Sequence, residues 1–222
     1  MWLVESAKRG SRMKDQYRVN GVDVFIKDRL DPNVDPNFVF NYIAARVPFY
    51  LTRDVEIIYI GHFPEMDERE INAFYEDGAI YVTNDQDDEM DMIEDIIHEL
   101  SHAVEQKNGD SIYGDSNLER EFRAKRQRLE RLLKQNYEVP ADFSITLDYD
   151  RNIDMFLYKT VGYDNLNQIC VNIFPSAYAC TSISEYWAKG FEEIFIGDRE
   201  LIKKTCPILF NKLINVIEEM KE

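Results

Sequence analysis

Two of the three histidines in this 222-residue chain, His98 and His102, lie four residues apart with Glu99 directly after the first. This HExxH pattern falls in a stretch with helical spacing of apolar residues, and four residues is close to one helical turn. Both imidazoles therefore project from one face, where they can bind one zinc ion. A carboxylate at Glu99 can take a proton from zinc-bound water, so the pattern predicts metal-dependent hydrolysis.

A catalytic zinc site needs a third protein ligand, and water takes the fourth position. The longer pattern with a third histidine is missing, because Glu105 and Asn108 stand where it requires Gly and His. His62 is one alternative for the third ligand. The acidic alternatives on a later, aromatic-rich segment are Glu185, Glu192 and Glu193. For Glu192 and Glu193 a solvated helix face is the simpler interpretation.

The elements that must position these groups are strands in the first eighty residues and helices afterwards. Strand-like runs cover residues 22–27, 55–60, 72–76 and 79–83. The last two flank Asp77-Gly78, a dipeptide typical of a type I′ hairpin turn. Helices are predicted over residues 38–47, from a cap at Asn84 or Asp85 through Val104, and over 118–135, 152–160, 165–173, 184–195 and 207–220. A loop is expected at Asn108-Gly109-Asp110, and helix 118–135 is expected to be exposed because of its charge. This order predicts an α+β fold rather than repeating βαβ units.

Composition limits the classes of partner. The chain has 26 Lys and Arg against 42 Asp and Glu, a net charge of −16. Such a charge repels nucleic-acid phosphate and anionic lipid, so we expect neither nucleic-acid nor membrane binding. It also favours a substrate with basic residues near the bond that is cleaved. Within the acidic segment that precedes His98, Glu94 and Asp95 are candidates for orienting a zinc-bound imidazole.

Domain organisation and compartment follow from simpler features. We expect a loosely ordered lead-in over residues 1–20 and a single domain over residues 21–222. Three cysteines without a CxxC pattern, together with the lack of a signal-like or membrane-spanning segment, favour a reducing compartment, most simply the cytoplasm.

Two stretches resemble the gluzincin metallopeptidases, and more closely the catalytic domain of anthrax lethal factor and the related lethal-factor-like domains of bacterial and phage proteins. One is NAFYEDGAIYVTN followed by IIHELSHAVEQ, and the other is FPSAYACTSISEYWAKGFEEIF. In this family the third zinc ligand is the Glu of a motif like E-[YF]-[FW]-A-x-x-F, which the residues from Glu185 to Phe191 match. The stretch between His102 and Glu185 is longer than the family pattern, so the resemblance does not extend to the substrate.

The resemblance implies a zincin-like metallopeptidase domain with a small mixed sheet and an HExxH helix. It implies Zn²⁺ as the cofactor, with ligands His98, His102 and Glu185. It further implies that Glu99 is the general base and that Tyr178, seven residues before Glu185, stabilises the oxyanion. An edge strand near the metal would pair with an extended peptide substrate. The residues of this strand would be Ala79, Ile80, Tyr81 and Val82, extending to Thr83.

The expected activity is that of a zinc-dependent endopeptidase acting on a protein or peptide. One alternative is a non-catalytic partner-binding module that retains the zincin fold and the zinc site. Another is a zinc hydrolase that cleaves a non-peptide amide.

Overall fold

The structure is a computed structural model that describes residues 15–69 and 71–222. It is α+β: five strands form one small mixed sheet within the described residues, and helices account for most of the rest. The chain divides into two compact units, of which the first ends at Ala103 and the second begins at Val104. All five strands belong to the first unit. That residues 21–222 form a single domain stays a prediction.

The strands of the sheet are β1 Asp15–Val19, β2 Val22–Ile26, β3 Ile57–Ile60, β4 Ala73–Glu76 and β5 Ala79–Val82. Their order across the sheet is β1-β2-β3-β5-β4. The β2–β3 and β3–β5 pairs are parallel, whereas the β1–β2 and β4–β5 pairs are antiparallel. The four predicted strands are confirmed. The first strand, Asp15–Val19, lies in the expected lead-in, of which residues 1–14 are outside the described residues.

The predicted hairpin between β4 and β5 is confirmed, including its turn. Asp77 and Gly78 both have positive φ, 46° and 84°, as a type I′ turn requires. The carbonyl of Gly78 also accepts a hydrogen bond of 2.8 Å from the backbone N–H of Glu56, just before β3. The turn thereby sets the register in which Ile58 lies opposite Ile80, and both side chains are buried.

The expected edge position of residues 79–83 is wrong. Strand β5 pairs with β3 on one side and with β4 on the other, so its backbone hydrogen-bonding groups are used within the sheet. The strand at this end of the sheet is β4. The hairpin explains the difference, because a two-residue turn places β4 directly alongside β5. That Ala79, Ile80, Tyr81 and Val82 contact a substrate stays a prediction.

The α-helices of the described residues are α1 Pro36–Arg46, α2 Pro64–Arg69, α3 Glu89–Tyr113, α4 Asn117–Leu133, α5 Arg151–Met155, α6 Tyr163–Cys170, α7 Ile183–Phe195, α8 Arg199–Thr205 and α9 Pro207–Glu219. Short 3₁₀ turns occur at Phe49–Thr52 and Tyr178–Cys180, and a π-helical turn at Phe156–Val161 continues α5. Among the described residues, no helix combines the length and the apolar character needed to cross a membrane.

The helix that carries HExxH differs from its prediction at both ends. It begins at Glu89 rather than after Asn84 or Asp85, and the side chain of Asp88 accepts from the backbone N–H groups of Met90 and Asp91. The loop expected at residues 108–110 is wrong, because α3 continues to Tyr113. Only Asn108 leaves helical geometry, and its side-chain amide donates to the carbonyl of Val104 at 2.7 Å.

Helix α4 organises the second unit, although its charge predicts an exposed helix. That expectation is wrong for one face, whose residues Leu118, Phe122, Arg126, Leu129 and Leu133 are buried. The helix packs against α6, α7 and α9. Its Glu121 carboxylate accepts from the first free backbone N–H groups of α9, those of Ile208 and Leu209, both at 3.0 Å. The same carboxylate accepts from the hydroxyl of Tyr186 on α7 at 2.8 Å.

Candidate metal centre

Helix α3 presents its two histidines on a partly open face. Apolar residues of the same helix, such as Ile97 and Leu100, are buried, whereas His98 and His102 are half-buried. The centroids of the two imidazole rings are 5.0 Å apart, with an angle of 76° between the ring planes. The spacing predicted from the sequence therefore gives two nitrogen donors that can reach a common point.

Glu185 lies in the first turn of α7. Ser182 is the N-cap of this helix, and its hydroxyl oxygen accepts from the backbone N–H of Glu185 at 3.1 Å. Deeper in the helix, the large side chains of Trp187 and Phe191 are fully buried and fix its orientation in the second unit. Sequence reasoning missed Ser182, although Ser182 and Glu185 have the spacing of a capping box.

The structure brings His98, His102 and Glu185 together. One donor atom from each lies within 4.8 Å of the other two, and all three side chains are half-buried. In the part of the chain that the structure describes, this is the one group of three such side chains that could hold a metal ion.

The other candidates for the third ligand are engaged elsewhere. Glu192 is buried and forms an ion pair of 2.5 Å with Lys189, whereas Glu193 accepts from the backbone N–H of Asp198 at 2.7 Å. The Nε2 of His62 lies 3.4 Å from a carboxylate oxygen of Asp67. Neither glutamate nor His62 is a member of the group, so Glu185 is the acid that the fold brings to the histidines.

The two predicted non-ligand residues differ in exposure. Glu99 is buried, with only 7% of its surface accessible, which is unusual for a carboxylate. Tyr178 lies in the 3₁₀ turn before α7 and is 44% exposed, so its phenol can meet a molecule from solution. These environments are compatible with a base shielded from bulk water and with a donor that contacts substrate.

Tyr163 was missed by sequence reasoning. Its ring centroid is 6.4 Å from that of Tyr178, so it supports one side of the exposed phenol. Burial is the main reason that the pKa of Tyr163 lies well above its ordinary value, and the negative charges of Asp154 and Glu185 add to the shift. Tyr163 is consequently a neutral hydroxyl at all ordinary pH values. No motif marked it, because its position depends on how α6 packs.

Sequence reasoning also missed the hydrogen bonds of Glu105, whose carboxylate binds two hydroxyl groups. It follows His102 by three residues on α3, and its carboxylate accepts from the hydroxyls of Tyr113 and Ser184. Its position one turn beyond the second histidine was the available signal, but its partner across the fold could not be read from sequence.

Glu94 and Asp95, the two acids predicted to orient an imidazole, differ in their surroundings. Asp95 accepts a hydrogen bond of 2.8 Å from the side-chain amide of Gln86, and Glu94 is exposed. That either carboxylate orients an imidazole stays a prediction.

The described chain therefore contains a His-His-Glu group that could bind a metal ion, with Glu99 adjacent in sequence to one of its members. The chain matches none of the protein-family models, curated proteins or solved structures with which it was compared.

Proposed function

We propose that this protein is a zinc-dependent endopeptidase of the gluzincin type, with a zincin-like fold, that hydrolyses peptide bonds in a protein or peptide substrate. The observation that carries the proposal is the grouping of His98, His102 and Glu185 within 4.8 Å. The HExxH pattern accounts for two of these residues, and the third comes from a distant part of the sequence.

The donor set fits zinc. Two imidazoles and one carboxylate are a frequent ligand set of catalytic zinc, which uses three protein ligands and leaves one position open. Zinc bound there would supply Lewis acidity, which polarises a carbonyl and lowers the pKa of water toward about 7. The same donors also occur in iron(II) sites, so the experiment below includes identification of the metal.

Glu99 and Tyr178 supply the proton transfer and the hydrogen bond that peptide hydrolysis needs. The buried Glu99 carboxylate accepts the proton of the attacking water and later gives it to the leaving amine. The exposed Tyr178 hydroxyl donates a hydrogen bond to the negative charge that develops on the carbonyl oxygen.

An extended substrate would add to β4 rather than to β5. Strand β4 ends the sheet next to β5, and an extended peptide can continue a sheet only at its edge. A strand of four residues, Ala73–Glu76, offers room for a short segment of the substrate.

The test combines metal analysis with cleavage of a peptide library. We expect about one zinc per chain and cleavage that a chelator abolishes and added zinc restores. Glu99→Gln should retain zinc and lose at least about 100-fold in cleavage rate. Asp110→Asn, at an exposed carboxylate on the same helix, is the matched control and should behave as the wild type.

Two results would overturn the proposal. Failure of the purified protein to bind zinc would remove the metal centre. Stoichiometric zinc without cleavage of any peptide would favour the alternative, a non-catalytic partner-binding module with a zincin fold.

A further inference from the structure

Arg126 is a buried cation at the centre of the second unit. Its side chain is fully inaccessible to solvent, on the inner face of α4. Burial lowers the pKa of Arg126 to about 10. This value is still well above neutral pH, where the guanidinium is therefore charged. The rings of Phe122 and Phe143 lie 5.0 and 4.9 Å from the guanidinium carbon. A charge in such surroundings is costly unless its N–H groups find acceptors.

The acceptors are four backbone carbonyls from two separate segments. Nη1 donates to Phe143 at 2.7 Å and to Thr146 at 2.9 Å. Nε donates to Cys180 at 2.9 Å, and Nη2 donates to Thr181 at 2.5 Å. Arg126 thus joins α4 to the loop after it and to the segment that precedes α7.

The second of these segments carries two residues of the proposed mechanism. Cys180 and Thr181 lie between Tyr178 and Ser182. Ser182 is the N-cap residue of α7, and its hydroxyl oxygen accepts a hydrogen bond from the backbone N–H of Glu185. Thr181 also bonds back to the carbonyl of Tyr178, through its N–H at 2.9 Å and its hydroxyl at 2.8 Å. A displacement of Cys180 and Thr181 would therefore move both Tyr178 and the start of α7.

We propose that Arg126 is a positioning residue, which sets the places of Tyr178 and Glu185 by binding the carbonyls of Cys180 and Thr181 from inside the second unit. This inference rests on the proposed function for its effect on metal and catalysis. Its structural part, control of the segment from Tyr178 to Glu185, does not depend on that function.

Only arginine provides this arrangement. Its three nitrogens lie in one plane with five N–H groups at fixed angles, so a single side chain can serve four carbonyls in two directions. Lysine keeps the charge but concentrates its donors on one nitrogen. Arg126→Lys is therefore the informative substitution, because it preserves charge and removes the geometry.

The matched control is Arg123→Lys. Arg123 lies on the same helix, and its Nη1 donates to one backbone carbonyl, that of Ile145, at 2.5 Å. This bond goes to the loop after α4, and the side chain of Arg123 is only half-buried. Arg126→Met is a second variant, which removes every donor but keeps an apolar stem between the two rings.

The first readout is amide hydrogen exchange of the metal-free protein. In Arg126→Lys we expect exchange of the amides of residues 180–186 to accelerate at least about tenfold, while amides of α9 keep their wild-type rates. Arg123→Lys should leave both regions unchanged. Unchanged exchange at 180–186, or an even acceleration throughout residues 104–222, would overturn the proposal.

The second readout is zinc affinity, measured by competition with a chromophoric chelator. Arg126→Lys should weaken zinc binding by about 10- to 100-fold, the range for groups that orient a ligand. In a Glu185→Ala background the same substitution should change the affinity no further, because the effect passes through Glu185. An equal loss of affinity in both backgrounds would contradict the positioning role.

The outcomes separate the two proposals. If the wild type binds no zinc, the proposed function fails, and hydrogen exchange still decides the role of Arg126. If both Arg126 variants fail to fold, Arg126 serves the stability of the whole unit, and the positioning proposal is overturned.

Discussion

Ser184 donates a hydrogen bond of 2.6 Å from its hydroxyl to the Oε2 atom of Glu105. Glu105 lies one turn beyond His102 on α3, and Ser184 directly precedes Glu185 on α7. The other oxygen of the same carboxylate accepts from the hydroxyl of Tyr113. One carboxylate therefore links the continuation of the histidine helix to the residue beside the third member of the group.

Ser184→Ala tests the contribution of this bond. A hydrogen bond to a charged acceptor contributes about 1.5–3 kcal/mol, and the half-buried position of Ser184 favours the lower end. We expect the free energy of unfolding to fall by about 1–2 kcal/mol and zinc affinity to weaken several-fold. Urea unfolding and chelator competition measure the two effects. The control is Ser111→Ala, at an exposed serine of α3, the helix that carries Glu105. If Ser184→Ala and Ser111→Ala gave the same unfolding free energy and the same zinc affinity, the prediction would be contradicted.

Glu185→Gln tests the third ligand. The amide keeps the shape of the side chain but is a poor metal ligand, so zinc affinity should fall by at least about 100-fold. Isothermal titration of the metal-free protein with zinc gives both affinity and stoichiometry. Glu193→Gln is the control on the same helix, because its carboxylate bonds the backbone N–H of Asp198. If Glu185→Gln bound zinc as tightly as the wild type, Glu185 would not be the third ligand, and another residue would have to fill that position.

Tyr178→Phe tests the oxyanion hydrogen bond. Loss of one donor of this kind lowers kcat by about 100- to 1,000-fold in other hydrolases, and we expect the lower end with KM and zinc content unchanged. Tyr158→Phe is a close control, because Tyr158 and Tyr178 are each 44% exposed. A variant of Tyr178 with most of the wild-type kcat would exclude its phenol from the mechanism.

Local signals predicted much of the fold. The Asp77-Gly78 turn could be predicted because both of its residues must adopt positive φ, which few dipeptides tolerate. Helix α7 could be predicted from its aromatic spacing, and its residues Trp187 and Phe191 are indeed fully buried. These features depend on neighbouring residues alone, which is why sequence reasoning reached them.

The failures concern relationships between distant segments. The edge position of β5 depended on which strands flank it, and no residue of β5 encodes its neighbours. Arg126 looked like one more charge on a solvated helix, because its acceptors are backbone carbonyls, which any sequence provides. For the candidate site, HExxH located two histidines by local spacing. The residues alone left Glu185 as one of several candidates for the third ligand, and only a resemblance that includes Tyr178 selected it.

Alkaline pH should destabilise the fold through three phenols, those of the half-buried Tyr113 and Tyr163 and of the fully buried Tyr186. Burial is the largest cause that raises the pKa of each above the ordinary value near 10, and nearby charges such as Glu105 and Glu121 add to it. The unfolded chain releases these protons near pH 10, whereas the folded chain retains them. The phenols therefore leave stability unaffected below about pH 10 and lower it as the pH rises further, by about 1.4 kcal/mol per pH unit for each proton.

Two measurements check this pH dependence. Urea unfolding between about pH 8 and pH 11 should show a free energy of unfolding that declines above pH 10. Phenolate absorbance should rise in two stages, with the exposed tyrosines first and Tyr113, Tyr163 and Tyr186 only as the protein unfolds. Tyr113→Phe should make the decline shallower, because that phenol no longer distinguishes the folded from the unfolded chain. Ionisation of all thirteen tyrosines in one step near pH 10, without unfolding, would contradict the buried environments.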